Sequence, residues 1–296
     1  MKRIISLFLA VLLLISMAAC GKEQKRAGKP SQDVVENPQP TVEQAAKPKK
    51  ATIPETILYN DKNLKITAKS LSSDGIMGPE LRLGIENNTD KDLTVQTRSV
   101  SVNGYMIDTI MSMDVPSGRR HTDSLILMDT SLEHSGITTI GTIEISFHVF
   151  DIENWDTYVD TQVITLRTDL AGTVAKPDAH TGQIVYDAND VKILVEGLDA
   201  EDSVLGPGMV LYIENNRKQD ITIQARDAVI GEHEVNPIFS CNVTAGNRAV
   251  DSVTFLSSEL EEYGITNIEE LSLSFVIFDM DDYHDIAKSD MLTIRF

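Results

Sequence analysis

Residues 132–151 of this chain return 128 positions later, with ten of twenty positions identical. Leu132, Gly136, Ile137, Ile140, Phe147 and Phe150 become Leu260, Gly264, Ile265, Ile268, Phe275 and Phe278. A self-match at fixed spacing means one supersecondary unit used twice. Within it, Ile143, Ile145, Phe147 and Val149 alternate with Glu144, Ser146 and His148, the period of a strand with one buried face. Thr130-x-x-Glu133 and Ser258-x-x-Glu261 fit a capping box, in which hydroxyl and carboxylate each satisfy a backbone N–H at a helix start. Gly136 and Gly264 stand where a left-handed residue stops a helix. The unit predicts a short helix feeding a core strand.

The match extends outward. Gly78-Pro79 pairs with Gly206-Pro207, and Glu86-Asn87-Asn88 with Glu214-Asn215-Asn216; before the Gly-Pro loop the offset is 127. Asn103-Gly104 is the strongest hairpin signal in the chain, suited to a type I′ turn, and the second copy has Gly231-Glu232 there. Short alternating strands between turn signals, in units of about 110 residues, predict an all-β fold of two tandem immunoglobulin-like β-sandwiches, each with one short helix. The copies span 56–169 and 183–296, with 170–182 as a linker. Neither carries the Cys…Trp…Cys pattern of true immunoglobulin domains, so the expectation concerns architecture.

The first 55 residues differ in kind. Lys2 and Arg3 precede an apolar run from Ile4 to Ala19 and then Cys20-Gly21, the layout of a secretory signal peptide over 1–19. Its apolar run is shorter than a spanning helix needs. Residues 20–55 are Lys, Glu, Gln, Pro, Ala and Ser with few large apolar groups, which predicts a disordered tether. Extended, it would reach on the order of 100 Å. Charge divides at the same place: residues 1–55 hold nine basic and five acidic groups, the remainder 17 and 40. So acidic a body repels nucleic acid and anionic head groups.

Met17-Ala18-Ala19-Cys20 resembles the lipobox of bacterial lipoproteins. Together with the tether, the repeated Ile-Glu-Asn-Asn, the Val-Asn-Gly hairpin and Phe-x-x-Phe-Asp, it makes the chain similar to uncharacterised lipoproteins of Gram-positive, clostridial-type bacteria. These in turn resemble telokin-like, immunoprotection-type extracellular domains. The resemblance implies lipidation at Cys20, a membrane anchor facing the extracellular side and an immunoglobulin-like fold. It transfers no catalytic residue.

A duplicated chain can be searched against itself, because a site belonging to the unit should occur in both copies. No histidine does: His121, His134 and His148 meet Ala249, Glu262 and Val276, His233 and His284 meet Tyr105 and Asp156, and His180 falls in the linker. Solvated or linker positions account for all six. Cys241 has Met113 as its counterpart and reads as core. Residues 151–160 and their copy read as acidic loops. Asp151, Glu153 and Asp156, with Asp279, Asp281, Asp282 and Asp285, offer oxygen ligands that could hold calcium, or simply cap turns, without matching an EF-hand. No other cofactor is expected. Trp155 and Tyr283 share one place in these loops, where an aromatic either closes the sandwich or anchors a partner. The expected function is non-enzymatic: a lipid-anchored module binding an extracellular protein or glycan, and no nucleic acid. Its rival is a structural spacer or envelope-assembly component without a ligand.

Overall fold

The computed structural model describes residues 50–175 and 179–296. These belong to one compact unit, 45–296. The signal peptide, Cys20 and most of the tether lie outside the described residues.

The chain is all-β, as expected, with two immunoglobulin-like sandwiches. In the first copy, one sheet runs Thr56–Asn60, Leu64–Ser72, Glu80–Asn87, Arg120–Leu127 and Thr109–Ile110. It packs on Leu93–Val102 and Thr142–Asp151, and the alternating Ile143, Ile145, Phe147 and Val149 are all fully buried between the layers. In the second copy, Val191–Ser203, Gly206–Asn215 and Arg248–Phe255 form one layer. Ile221–Ile230 and Glu270–Asp279 form the other, with Phe275 buried like Phe147. Register repeats as well as sequence: Val95 faces Met113 in the first copy and Ile223 faces Cys241 in the second. Burial pushes the Cys241 thiol well above its ordinary pKa, with Asp251 adding to the shift.

Each helix, α1 (Asp129–His134) and α2 (Ser257–Glu262), corrects one expectation. The residues preceding them are Met128 and Leu256, in extended conformation, and no side chain caps either start. Thr130 and Ser258 therefore lie inside the helices, and the capping boxes do not form. A backbone carbonyl does that work: Asp129 N–H donates to Met77 O (2.9 Å) and Ser257 N–H to Leu205 O (2.8 Å). The helix ends match expectation. Gly136 (φ 65°) and Gly264 (φ 69°) are left-handed. Ile137 N–H reaches Leu132 O and Gly136 N–H reaches Glu133 O, with Ile265 and Gly264 repeating the pair. That is a Schellman motif at both ends.

Residues 151–160, read as one loop, also divide. Thr157–Asp160 is a strand against Thr142–Asp151, leaving 152–156 as the turn.

The largest departure is between the copies. The Asn103-Gly104 hairpin forms, with both residues at positive φ and Val102 opposite Tyr105. Its tip then joins the second copy: Tyr105 pairs in parallel with Arg248, whose N–H donates to Gly104 O (2.9 Å). One eleven-stranded sheet thus crosses both sandwiches. Leu194, Tyr212 and Val250 of the second copy join the first core. His180, read as a linker residue, is packed at this seam. Its Nδ1 meets Glu196 Oε1 (2.8 Å), its Nε2 meets Tyr105 Oη (3.1 Å), and its ring stacks on Tyr212 at 3.9 Å.

The Glu-Asn-Asn runs are turn chemistry. Asn87, fully buried, donates to Lys91 O and Val115 O and accepts from Thr89 N–H; Asn215 does the same with Gln219, Val243 and Arg217. Removing such a side chain strands buried backbone groups, at about 1–3 kcal/mol. Asn87→Ala and Asn215→Ala should each lower unfolding free energy by that amount in urea titrations, whereas Asn88→Ala, at an exposed position, should change it by less than about 0.5 kcal/mol.

Candidate functional site

The turns at 152–156 and 280–284 share one construction. Asp151 and Asp279 each accept a hydrogen bond from the N–H two residues on, at Glu153 (2.9 Å) and Asp281 (2.8 Å). Their carbonyls then accept from Trp155 N–H (2.9 Å) and Tyr283 N–H (3.0 Å). Each turn closes when Asp151 N–H meets Asp156 O and Asp279 N–H meets His284 O. The aromatic residue in each is left-handed, Trp155 at φ 63° and Tyr283 at φ 58°. For a bulky side chain that conformation costs roughly 1–2 kcal/mol, and both copies carry it.

Strain of this kind aims the ring outward. Trp155 is 74% exposed and Tyr283 70%. Trp155 lies parallel to Phe150, centroids 5.3 Å apart, so one ring face is supported and the other is open. Tyr283 leans on Phe278 at 6.0 Å. Neither ring closes off a core.

A chain of contacts connects the two tips. Phe150 touches His148 (5.3 Å between rings), and His148 Nδ1 meets Asp160 Oδ1 at 2.6 Å. Asp160 pairs with Arg98 at 3.8 Å, and the Arg98 guanidinium also donates to Asp281 in the second turn. Arg98 thus links the strand after the first turn to the second turn. The repeat keeps the residue, since Arg226 is its counterpart, but not the contact, because residues 98 and 281 stand at no repeat-related distance.

The acidic residues separate into engaged and clustered groups. Asp151 is ion-paired with Lys91 (2.8 Å), and that contact, ahead of the Glu153 N–H bond, holds its carboxyl below the usual range. Asp281 is taken by Arg98. Glu153 and Asp156 are exposed, and Asp285 begins the strand opposite Phe278. Only Asp279 and Asp282 come together, with His284, each placing one ligand atom within 4.8 Å of the others. An imidazole and two carboxylates suit a borderline cation better than calcium, which prefers six to eight oxygens. His284 Nδ1 meets Asp282 Oδ1 at 2.5 Å; this bond raises the imidazole pKa and lowers that of the carboxyl.

A cavity of about 300 Å³ lies elsewhere at the seam, bordered by Arg98, Asp108, Ser131, Cys241 and Asp251. Ser131 Oγ donates to Asp108 Oδ2 there (2.9 Å).

No family model matches the chain. No curated protein matches it either. Among solved structures, the YadV chaperone is similar over 73% of this chain and 92% of its own, at 13% identity and a TM-score of 0.25. The SafA pilin in complex with the SafB chaperone, from Salmonella enterica, matches over 80% and 98%, at 10% identity and a TM-score of 0.22. A protein of unknown function from Porphyromonas gingivalis W83 matches over 81% and 94%, at 9% identity and a TM-score of 0.18. Superpositions this loose carry nothing about a ligand or partner.

The Asp282–His284 pair gives a pH expectation with a definite sign. The raised imidazole favours the folded turn below the ordinary histidine pKa, and that preference is lost as pH rises through the raised value. The lowered carboxyl favours it above the ordinary aspartate pKa, and that preference is lost as pH falls through the lowered value. In an NMR titration His284 should titrate above the ordinary imidazole value, and Asp282→Asn should lower it toward that value, with Asp279 and Asp285 still raising it.

Proposed function

We propose that the protein is a non-catalytic binding module, held at the outer face of a cell membrane by lipid on Cys20, that uses the surface carrying Trp155 and Tyr283 to engage an extracellular protein or glycan. The observation that carries this reading is the repeated aromatic: two left-handed, strained and exposed rings, joined across the copies through Arg98. Strained positions cluster at functional sites, and aromatic anchors supply much of the energy at interfaces. A spacer without a ligand has no use for either ring.

The surroundings support a binding role over a catalytic one. His148, His180 and His284 are engaged by carboxylates, and His233 is stacked on Tyr263. Cys241 is a buried thiol with a raised pKa, far from the thiolate that nucleophilic chemistry requires. The face also works without a resident cation, since Lys91, Arg98 and His284 already neutralise Asp151, Asp281 and Asp282.

The test is a cross-linked pull-down from surface extract and cell-wall glycans. A captured partner should be lost with Trp155→Ala and Tyr283→Ala, each change weakening binding about tenfold or more (roughly 1.4 kcal/mol or above). Both Ala variants should melt close to the parent, because the rings are exposed, whereas Trp155→Gly and Tyr283→Gly, which remove the Cβ, relieve the left-handed strain. Capture unaffected by the double change would leave the spacer reading in its place. Adding millimolar calcium or chelator should leave both capture and melting temperature unchanged; a rise in melting temperature with calcium would restore the metal reading of the acidic turns.

A further inference from the structure

The cavity at the seam has walls from both copies. Ser240–Val243 pairs with Ile221–Ile230 and Arg248–Phe255 with Gly206–Asn215, so these two strands belong to different layers of the second sandwich. The first copy lies across the gap between them with residues 106–109, strand residues 97–100 and Ser131 of α1. Cys241, Ala249 and Val250 are buried on one wall, Val100 and Ile107 on the other. Enclosed space between packed units is a common place for small ligands, and about 300 Å³ lies at the small end of their range.

Charge in the cavity is unequal. Its one basic group, Arg98, is engaged by Asp160 and Asp281. Its acidic groups are Asp108 from the first copy and Asp251 from the second. Burial raises the Cys241 pKa most, and Asp251 and Asp108 both add to the shift, which places the two carboxylates near one thiol.

The repeat shows that Asp108 is not a requirement of the fold. In the second copy Asn236 and Glu259 stand at the positions of Asp108 and Ser131. There Glu259 accepts from the Asn236 N–H (3.0 Å) and from its side-chain amide (2.7 Å). In the first copy the acid is on the loop and the hydroxyl on the helix. Ser131 Oγ donates to Asp108 Oδ2 (2.9 Å) and accepts from the Asp108 N–H (3.2 Å). The link from loop to helix is kept, yet the carboxylate now lines the cavity and has no basic partner among the described residues.

We propose that the seam cavity binds a small organic ammonium compound, its charge met by Asp108 and Asp251 and its carbon chain by Val100, Ile107 and Val250. An anion would enter beside two carboxylates, with the guanidinium already paired. A neutral ligand would desolvate Asp108 without compensation. Because both copies supply walls, the bound compound stabilises their junction together with the fold. This site goes beyond the aromatic turns and does not depend on them.

The test is a calorimetric titration of the full chain with the four-carbon diamine putrescine at physiological ionic strength. Butanediol and succinate are the uncharged and anionic compounds of the same length. Putrescine should bind saturably and the other two should not. Asp108→Asn and Asp251→Asn should each weaken binding about tenfold or more. Asp108→Asn with Ser131→Glu copies the second sandwich's arrangement, so this variant should melt close to the parent and still lose binding. Cys20→Ser leaves Cys241 the one thiol in the chain, and bound putrescine should slow its modification by a thiol reagent. Trp155→Ala with Tyr283→Ala should change none of this. Absence of saturation up to millimolar putrescine, equal binding of butanediol, or unslowed modification of Cys241 would overturn the proposal. So would binding indifferent to Asp108→Asn, which would assign the diamine to the acidic surface at large.

Discussion

The hydrogen bond from Arg248 N–H to Gly104 O, with the parallel pairing of Tyr105 and Arg248 around it, is the contact on which the rest of the arrangement depends. Two sandwiches joined only by a linker would be free to rotate, as domains with small interfaces are. Here the sheet itself continues from one to the other. Side-chain contacts then fill the seam: Arg248 lies over the Tyr105 ring at 5.8 Å, Asn247 donates to Glu144 (3.2 Å), and Tyr212 is stacked by His180. Burial raises the pKa of the Tyr212 hydroxyl, which donates to Glu214, so it serves as a donor across the working range. With orientation fixed in this way, a bond as particular as Arg98 to Asp281 becomes geometrically available.

That fixation comes from a difference between the copies, not from their likeness. At the hairpin tip the first copy has Asn103-Gly104 and the second Gly231-Glu232. Asn103 adopts positive φ and spends its side-chain amide on three backbone groups of residues 139–142. The tip is rigid and its next residue is presented for pairing. Gly231 has no side chain to do this, and its hairpin borders a hollow. The two differences at the tip thus suit the first copy's hairpin to pairing across the seam.

The strands, the hairpin, the helix ends and the core were legible in the sequence because each rests on local rules: period-two alternation, left-handed turn residues and the Schellman glycine. Gly136 and Ile137 needed no knowledge of anything distant. The helix starts were misread for the opposite reason. Thr130 and Glu133 satisfy a local pattern, yet the N–H at the start of α1 is met by the Met77 carbonyl, some fifty positions away in the chain. His180 was likewise read as a linker residue because its partners, Tyr105, Glu196 and Tyr212, are scattered. Sequence reasoning found Trp155 and Tyr283 by repeat position; Arg98 matches Arg226 in the same way, but its contact with Asp281 joins distant positions that no local pattern connects.

Repetition separates two kinds of constraint in this chain. Buried positions such as Phe147 and Phe275 agree between copies because close packing tolerates little change of volume. Agreement there says nothing about use. The aromatic turns agree without that reason: their rings are exposed, their backbone is strained, and a glycine would relieve the strain without opening the core. A feature that costs stability at an exposed position and stands in both copies is the observation on which the proposed binding face rests.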